Sequence, residues 1–321
     1  MKHIVPLARS AAARRAFNLG SAALASLAVT LTVRHFLRSG WPIHHANLWL
    51  VGLAGTLFLV AYGLKAWGWQ QLFATGRRPR VLTLAAAGGA ASVGGVALPG
   101  RFDEVIRIAV VRRCPRVKAS LGAVGISLFL LGLLDSAALT PLASVAAALS
   151  ATSTPFRIGL GVVAVAGVAA ATVVVLLPRI ARHRRVAKYR ASGWVGEHCA
   201  PPREAGAAWL AITASWCARG LALFVLLHAL GLGGSFALAL AVLCGSAASA
   251  ALPIAPAGAA TQAGAGAAVL VAAGVGVEEA IAFAVAAQAL VVFAGAAMVL
   301  AMGTERAGAR LRPSRVSRVS A

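Results

Sequence analysis

Six stretches of the chain are apolar over lengths that predict membrane-spanning helices. A bilayer core about 30 Å thick requires about 20 apolar residues per helix. The stretches occupy residues 16–33, 48–62 (extending to 69), 119–140, 156–177, 206–230 and 280–302. The pattern predicts an all-α polytopic protein in which residues 1–321 form a single integral membrane domain, a bundle of transmembrane helices.

Two further apolar stretches differ from ordinary spans. Residues 81–99 are short and crowded with glycine, which permits close helix approach and non-helical φ/ψ angles. Residues 236–274 are interrupted in the middle by two prolines and a glycine. We expect both stretches to be re-entrant hairpins that return to the side from which they entered. The predicted turn residues are Pro99, Gly100, Pro253, Pro256 and Gly258.

The distribution of basic residues supports the hairpins. With a cytoplasmic N-terminus and two hairpins, 26 of the 30 Lys and Arg residues lie in cytoplasmic segments. The outer side receives Arg34, Arg38 and Arg157, and Arg219 lies within a span. If residues 81–99 were a full span, a basic segment beside it would lie outside, against the positive-inside rule. We therefore expect a plasma-membrane (inner-membrane) protein with both termini in the cytoplasm.

The same topology predicts an inverted repeat. Residues 1–150 hold three spans with a hairpin before the third, and residues 151–305 repeat that order in the opposite orientation. A basic tail, residues 306–321, follows. The two hairpins share a motif, SVGGVALP at residues 92–99 and SAASAALP at residues 246–253. Inverted repeats with broken helices in matching positions indicate a transporter site near the membrane midplane.

Composition narrows the function classes further. Of the 321 residues 60% are hydrophobic and 12% are charged, whereas a soluble domain carries about 25% charged residues. The net charge of +22 does not indicate nucleic-acid binding, because the basic residues cluster between apolar spans. The four cysteines form no metal-binding spacing, and neither a P-loop nor a hydrolase or metalloprotease motif occurs. We expect no catalytic residues, no cofactor and no metal.

The first candidate site follows the first hairpin. Asp103 and Glu104 fit the first turn of a helix, where negative charge offsets the helix dipole, and Glu104 can pair with Arg107 at i,i+3. One interpretation is an ordinary capped surface helix. The other is a charged mouth in which Arg101 and Arg107 bind an anionic headgroup and Glu104 orients them.

The second candidate site lies within the spans. Arg219 and Asp135 are each roughly 20–24 Å from the predicted cytoplasmic ends of their helices, so their depths match. A charge at a helix centre costs roughly 2.5–3.5 kcal/mol on insertion scales, so it is usually paired or faces a cavity. The alternatives are a structural Asp135–Arg219 clamp, a role in headgroup or proton handling, or snorkelling to an interface.

At these motifs the chain resembles the lysylphosphatidylglycerol synthase transmembrane-region family, also called flippase-like membrane proteins. Residues 98–107, LPGRFDEVIR, resemble the family's P-x-R-x-G-E-x-x-R signature. Residues 252–260, LPIAPAGAA, are similar to its Leu-Pro-x-x-Pro-Gly-Gly-x-Gly turn. The chain departs from the family pattern at Asp103, Ala257 and Ala260, which replace glycines, and at Ala263, which replaces an acidic residue.

The resemblance implies a lipid-translocating region rather than a synthase, since no soluble lysyl-transferring domain follows the spans. We predict a flippase or secondary transporter for a lipid or lipid-linked substrate with an anionic headgroup. The main alternative is a non-transporting membrane partner of a lipid- or polysaccharide-modifying enzyme. A small-solute or ion transporter is a third, weaker hypothesis.

Overall fold

The computed structural model describes residues 46–74, 76, 78–97, 102–113, 120–149, 154–182, 201–251 and 258–311, together with Arg34 and Arg38. Within these residues the chain is all helical, with nine helices and no strand. The helices are α1 Leu48–Gln71, α2 Val81–Ala97, α3 Phe102–Arg112, α4 Leu121–Leu149, α5 Thr154–Arg182, α6 Pro202–Ala229, α7 Phe236–Ala251, α8 Gly258–Ala272 and α9 Val277–Leu311.

Five helices are long and apolar enough to cross a membrane: α1, α4, α5, α6 and α9. They coincide with five of the six predicted spans, and the sixth, residues 16–33, lies outside the described residues. Helix α4 continues through Pro141 and ends nine residues beyond the predicted boundary, which neighbouring helices allow within a membrane bundle. Helix α9 continues to Leu311, into the segment predicted as a tail.

The first predicted hairpin stretch forms a single short helix. Helix α2 is continuous over 17 residues, and none of its glycines has a positive φ, so the glycines of this stretch are not used for non-helical backbone angles. The chain instead turns after α2, and α2 and α3 then pack side by side. A Cβ atom on Gly94 would overlap the Ile106 side chain. Pro99 and Gly100, the predicted turn residues, lie outside the described residues.

The second stretch is divided near its predicted break. Helices α7 and α8 are 16 and 15 residues long, which at 1.5 Å per residue is shorter than a bilayer core of about 30 Å. They pack against each other, since a Cβ atom on Gly245 would lie 3.0 Å from the Val269 side chain. Gly258 is the first residue of α8, and Pro253 and Pro256 are not among the described residues.

Helices α1 and α6 form the antiparallel centre of the bundle. The Asn47 amide donates to the Ala229 carbonyl oxygen at 2.8 Å, and the Asn47 side chain caps α1. Midway, the Ser215 hydroxyl donates to the Ala61 carbonyl oxygen at 2.8 Å. At the other end Gly68 lies against Ala208 and its neighbours on α6, so closely that a Cβ atom would be 3.0 Å from the Ala208 carbonyl oxygen. Small residues therefore set the approach of these two helices, as is common in membranes.

The remaining helices pack around this centre in matching pairs. Helix α2 contacts α9, and α7 contacts α4. Helix α9 contacts α1, and α4 contacts α6. The short helices form the pairs α2–α3 and α7–α8. Each of these contacts has a counterpart when α1–α4 are compared in order with α6–α9.

Two ion pairs mark one end of the bundle, here called the basic end. Arg78 Nη2 lies 2.6 Å from Glu204 Oε1, and Arg80 pairs with Glu305. These pairs connect the α1–α2 turn to the first turn of α6 and to the last part of α9. Among the described residues, three of the segments assigned to the cytoplasm, around residues 78–80, 203–204 and 305–306, therefore lie at the same end, opposite Asn47.

Cysteine labelling tests this arrangement. In a background without the four native cysteines, Arg80→Cys and Glu305→Cys are expected to react with a membrane-impermeant maleimide from one side of the membrane. Trp49→Cys is expected to react from the other side, because Trp49 is exposed at the start of α1. We expect the side shared by positions 80 and 305 to be cytoplasmic. Labelling of these two positions from opposite sides would contradict the fold.

Candidate functional site

An ion pair lies in the interior of the bundle. Lys65 Nζ of α1 is 2.7 Å from Asp135 Oδ2 of α4, and the two side chains are 20% and 22% exposed. The Trp216 indole N–H of α6 donates to Asp135 Oδ1 at 2.9 Å. Both carboxylate oxygens are thus satisfied, which reduces the cost of a charge away from bulk water.

The pair lies near the middle of the predicted membrane. Trp216 follows the first residue of α6, Pro202, by 14 positions and precedes the last, Ala229, by 13. At 1.5 Å per residue it is therefore about 20 Å from either end of the helix. Ionisable residues at such depth are expensive and commonly mark a substrate or ion pathway.

Arg219 is the second cation at this depth. Its guanidinium carbon is 5.0 Å from the centre of the Trp216 ring and 5.8 Å from the centre of the Tyr62 ring, within the range of cation–π attraction. In the part of the chain that the structure describes, no carboxylate is within ion-pair distance of Arg219.

Of the alternatives for these two residues, the structural Asp135–Arg219 clamp is therefore wrong, because Asp135 pairs with Lys65 instead. Their matching depth is confirmed, since both side chains contact Trp216. Lys65 was assigned to a cytoplasmic segment from its charge, but it lies six residues inside the end of α1, and its long side chain reaches Asp135. We call Tyr62, Lys65, Asp135, Trp216 and Arg219 the central charged cluster.

The cluster also contacts the first short helix. The Tyr62 hydroxyl donates to Ser92 Oγ at 2.5 Å and lies 3.3 Å from the Val291 carbonyl oxygen of α9. Ser92 is the first residue of the SVGGVALP motif. The hairpin motif and the intramembrane charges, separate in the sequence, thus belong to one site.

The charged mouth on α3 has a different pairing from the one predicted. Asp103 and Glu104 occupy the first helical turn, as expected, and Glu104 is exposed. Arg107 forms its ion pair with Asp103, at 3.6 Å, and not with the predicted partner Glu104, which is the next residue. Arg107 is also close enough to Lys65 for the two positive charges to repel, as Arg219 is. Arg101 lies outside the described residues.

Three members of the cluster were missed from the sequence: Lys65, Tyr62 and Trp216. A signal for them exists, because α1 and α6 each carry an aromatic residue three positions before a cation. Residues three apart lie on the same helix face, so the aromatic and cationic side chains point together toward the partner helix.

The cluster is suited to binding an anion. Two cations and one carboxylate leave it with a formal charge of +1, and Arg219 can donate several hydrogen bonds in a planar fork. It offers little to a metal ion, since no three His, Cys, Asp or Glu side chains come together in the described ranges.

Comparison with known proteins places the chain in a family. No curated protein and no solved structure matches it. Residues 15–298, most of the chain, match the family of the lysylphosphatidylglycerol synthase TM region. That span includes both short-helix pairs and every member of the central charged cluster. With five membrane-spanning helices and this match, the chain is a multi-pass integral membrane protein that belongs to the lysylphosphatidylglycerol synthase transmembrane-region family.

Proposed function

We propose that the protein transfers a lipid, or a lipid-linked molecule, with an anionic headgroup between the two leaflets of the plasma membrane. The observation that carries the proposal is Arg219, a guanidinium about midway along α6 with aromatic neighbours and no carboxylate partner among the described residues. The substrate supplies the missing negative charge.

The energetics favour a functional rather than a purely structural arginine. Holding a cation at membrane depth costs roughly 2.5–3.5 kcal/mol on insertion scales, and cation–π contacts return about 0.5–2 kcal/mol. A phosphate group would offset the remainder through charge-assisted hydrogen bonds, for which the guanidinium geometry is well matched. Binding of an anionic headgroup to Arg219 is therefore favourable, because it offsets the free-energy cost of the unpaired guanidinium.

An apolar groove favours a lipid over a small solute as the substrate. It lies between α4 and α5, has a volume of about 500 Å³ and is lined mainly by alanine, valine and leucine side chains. Trp209 of α6 also lines it, and Trp209 is two helical turns from Trp216 on the same helix face. We assign this groove to an acyl chain of the substrate while its headgroup is at the central charged cluster.

The paired packing supports a mechanism of alternating access. In the proposed inverted repeat, α1–α4 correspond to α6–α9, and the pairs α2–α3 and α7–α8 are re-entrant hairpins from opposite sides. Rocking of one repeat against the other then exposes a central site to each leaflet in turn. The basic end faces the cytoplasm, where Arg107 and the family-type motif around it collect anionic headgroups.

Lipid transfer in proteoliposomes tests the proposal. Wild-type protein is expected to move fluorescent phosphatidylglycerol between leaflets faster than phosphatidylcholine. Arg219→Ala is expected to reduce phosphatidylglycerol transfer at least about tenfold, equivalent to about 1.4 kcal/mol, because the headgroup loses its counter-charge. Leaflet exchange is followed by dithionite quenching.

A matched control is Arg157→Ala, which removes an exposed arginine outside the cluster whose side chain contacts the Ala147 carbonyl oxygen. It is expected to leave transfer within about twofold of the wild type, a change of less than 0.5 kcal/mol. If folded wild-type protein moves neither phosphatidylglycerol nor phosphatidylcholine, the proposed lipid transfer is excluded. The role of a membrane partner for a lipid- or polysaccharide-modifying enzyme then becomes the better explanation.

A further inference from the structure

The aromatic and cationic residues of the site recur at a single spacing along the chain. The motif serines, Ser92 and Ser246, are 154 positions apart. The first residues of α1 and α6 and the last residues of α2 and α7 are separated by the same 154 positions. At this spacing Tyr62 corresponds to Trp216, and Lys65 corresponds to Arg219.

The corresponding residues also surround one another in space. Ala61 and Ser215 are 154 positions apart, and they are joined directly by a hydrogen bond. When corresponding residues of two antiparallel helices touch, an approximate two-fold axis passes between them. Lys65 and Arg219 then lie about 6 Å from that axis in opposite directions along their helices, Lys65 toward the basic end and Arg219 toward the Asn47 end.

The contacts of the two cations are reciprocal, as the axis requires. Lys65 Nζ is 5.5 Å from the centre of the Trp216 ring on the opposite helix. The Arg219 guanidinium is 5.8 Å from the centre of the Tyr62 ring on the opposite helix. Each half of the cluster therefore holds a cation against the aromatic ring of the other half.

The two halves differ in whether they hold a carboxylate. Helices α4 and α9 begin 156 positions apart, and at that spacing Asp135 corresponds to Val291. The hydrogen bonds agree with this correspondence. Trp216 donates to Asp135, and the corresponding Tyr62 hydroxyl lies against the Val291 carbonyl oxygen. Lys65 thus has an internal anion at the position where Arg219 has only an apolar side chain.

From this difference we propose that Lys65 is a second site for the phosphate group of the substrate, and that Asp135 is a built-in anion that occupies it when no substrate is present. The proposal rests on the function proposed above. Arg219 and Lys65 then bind the phosphate group in turn, on opposite sides of the two-fold axis. Each residue serves one of the two orientations of the repeats.

The neighbouring charges fit this role. Arg107 and Arg219 are both close enough to act on the charge of Lys65, so three cations are grouped around this position. A phosphate arriving at Lys65 replaces the Asp135 carboxylate, which keeps its hydrogen bond from Trp216. Since one anion replaces another, Lys65 is never left without a counter-charge at membrane depth.

Binding stoichiometry of the purified full-length protein tests the assignment. Short-chain phosphatidylglycerol and inorganic phosphate are titrated separately and counted by native mass spectrometry. The wild type is expected to bind one phosphate group per chain, and Asp135→Asn two, because the amide leaves Lys65 open while still accepting from Trp216. In the double variant Lys65→Gln/Asp135→Asn the second bound phosphate group is expected to be lost. Binding of both probes assigns the site to the phosphate group alone, and binding of the lipid only assigns it to a lipid headgroup.

The reverse variant tests the same idea without removing Asp135. Val291→Asp adds a carboxylate at the position that corresponds to Asp135 and is expected to abolish binding at Arg219. The neutral Val291→Asn is the matched control and is expected to keep one bound phosphate. The two experiments do not depend on each other, so poor folding of one variant leaves the other decisive.

The outcomes separate this inference from the proposed function. Unchanged stoichiometry in Asp135→Asn, or a second phosphate that persists after Lys65 is removed, overturns the second site even if the wild type transports lipid. Full binding in Val291→Asp overturns the idea of a built-in anion. If a Lys65-dependent site opens in Asp135→Asn although the wild type moves no lipid, the second site stands and transport fails.

Discussion

Replacing Asp135 with alanine is expected to destabilise the protein by about 3 kcal/mol, the lower end of the range of about 3–5 kcal/mol found when one partner of a buried ion pair is removed. The variant leaves the mutually repelling cations Lys65 and Arg219 without a carboxylate near the membrane midplane, since no other described carboxylate is within ion-pair distance of Lys65. It also leaves the Trp216 indole N–H without its acceptor. The free energy of unfolding is measured by reversible titration with SDS in mild-detergent micelles.

The double variant Lys65→Ala/Asp135→Ala is the decisive control. It removes both charges, so it is expected to be more stable than Asp135→Ala alone although it lacks more side-chain atoms. Lys65→Ala alone is expected to cost less than Asp135→Ala, because Asp135 keeps its Trp216 hydrogen bond and the nearby positive charge of Arg219. A loss in the double variant equal to the sum of the two single losses would show that the charges do not interact.

The sequence predicted the helices better than the way they meet. Five spans, the division of residues 236–274 into α7 and α8, and the acidic first turn of α3 followed from apolar length, proline and helix-dipole arguments, which act locally. The extent of α4 did not, because packing by neighbouring helices allows Pro141 inside a helix that the local rule would end. Likewise the α2 glycines are helical, and Gly89 and Gly94 serve close contact with other helices rather than a turn.

The site was predicted in part for a similar reason. Arg219 and Asp135 stand out because each is a charge in an apolar span, but the pairing depends on the register of three helices. Lys65 was hidden by its distance from the apolar centre of its span, and a lysine side chain spans about one helical turn toward its partner. The aromatic–cation spacing shared by α1 and α6 was readable from the sequence once the motif serines had fixed the repeat at 154 positions.

The second large effect is expected at the contact between α2 and α9, where two glycines let the backbones touch. Gly89 and Gly295 are buried, and a Cβ atom on Gly89 would overlap the Gly295 carbonyl oxygen and lie 3.0 Å from its Cα atom. Gly89→Ala is therefore expected to cost about 3 kcal/mol, the upper part of the range for overpacking, because backbone rather than a flexible side chain must move.

The same substitution is expected to abolish lipid transfer as well as lowering stability. Ser92 lies on the same face of α2 as Gly89, and Val291 on the same face of α9 as Gly295, so separating the helices breaks the hydrogen bond of Tyr62 beside Arg219. Gly95→Ala is the matched control, since a Cβ atom there meets nothing within 4 Å. The free energy of unfolding of that variant is expected to rise by up to about 1 kcal/mol, because alanine has a higher helix propensity than glycine. If Gly89→Ala behaved like Gly95→Ala in unfolding and transfer measurements, the α2–α9 contact would not be what holds the short helix against the charged cluster.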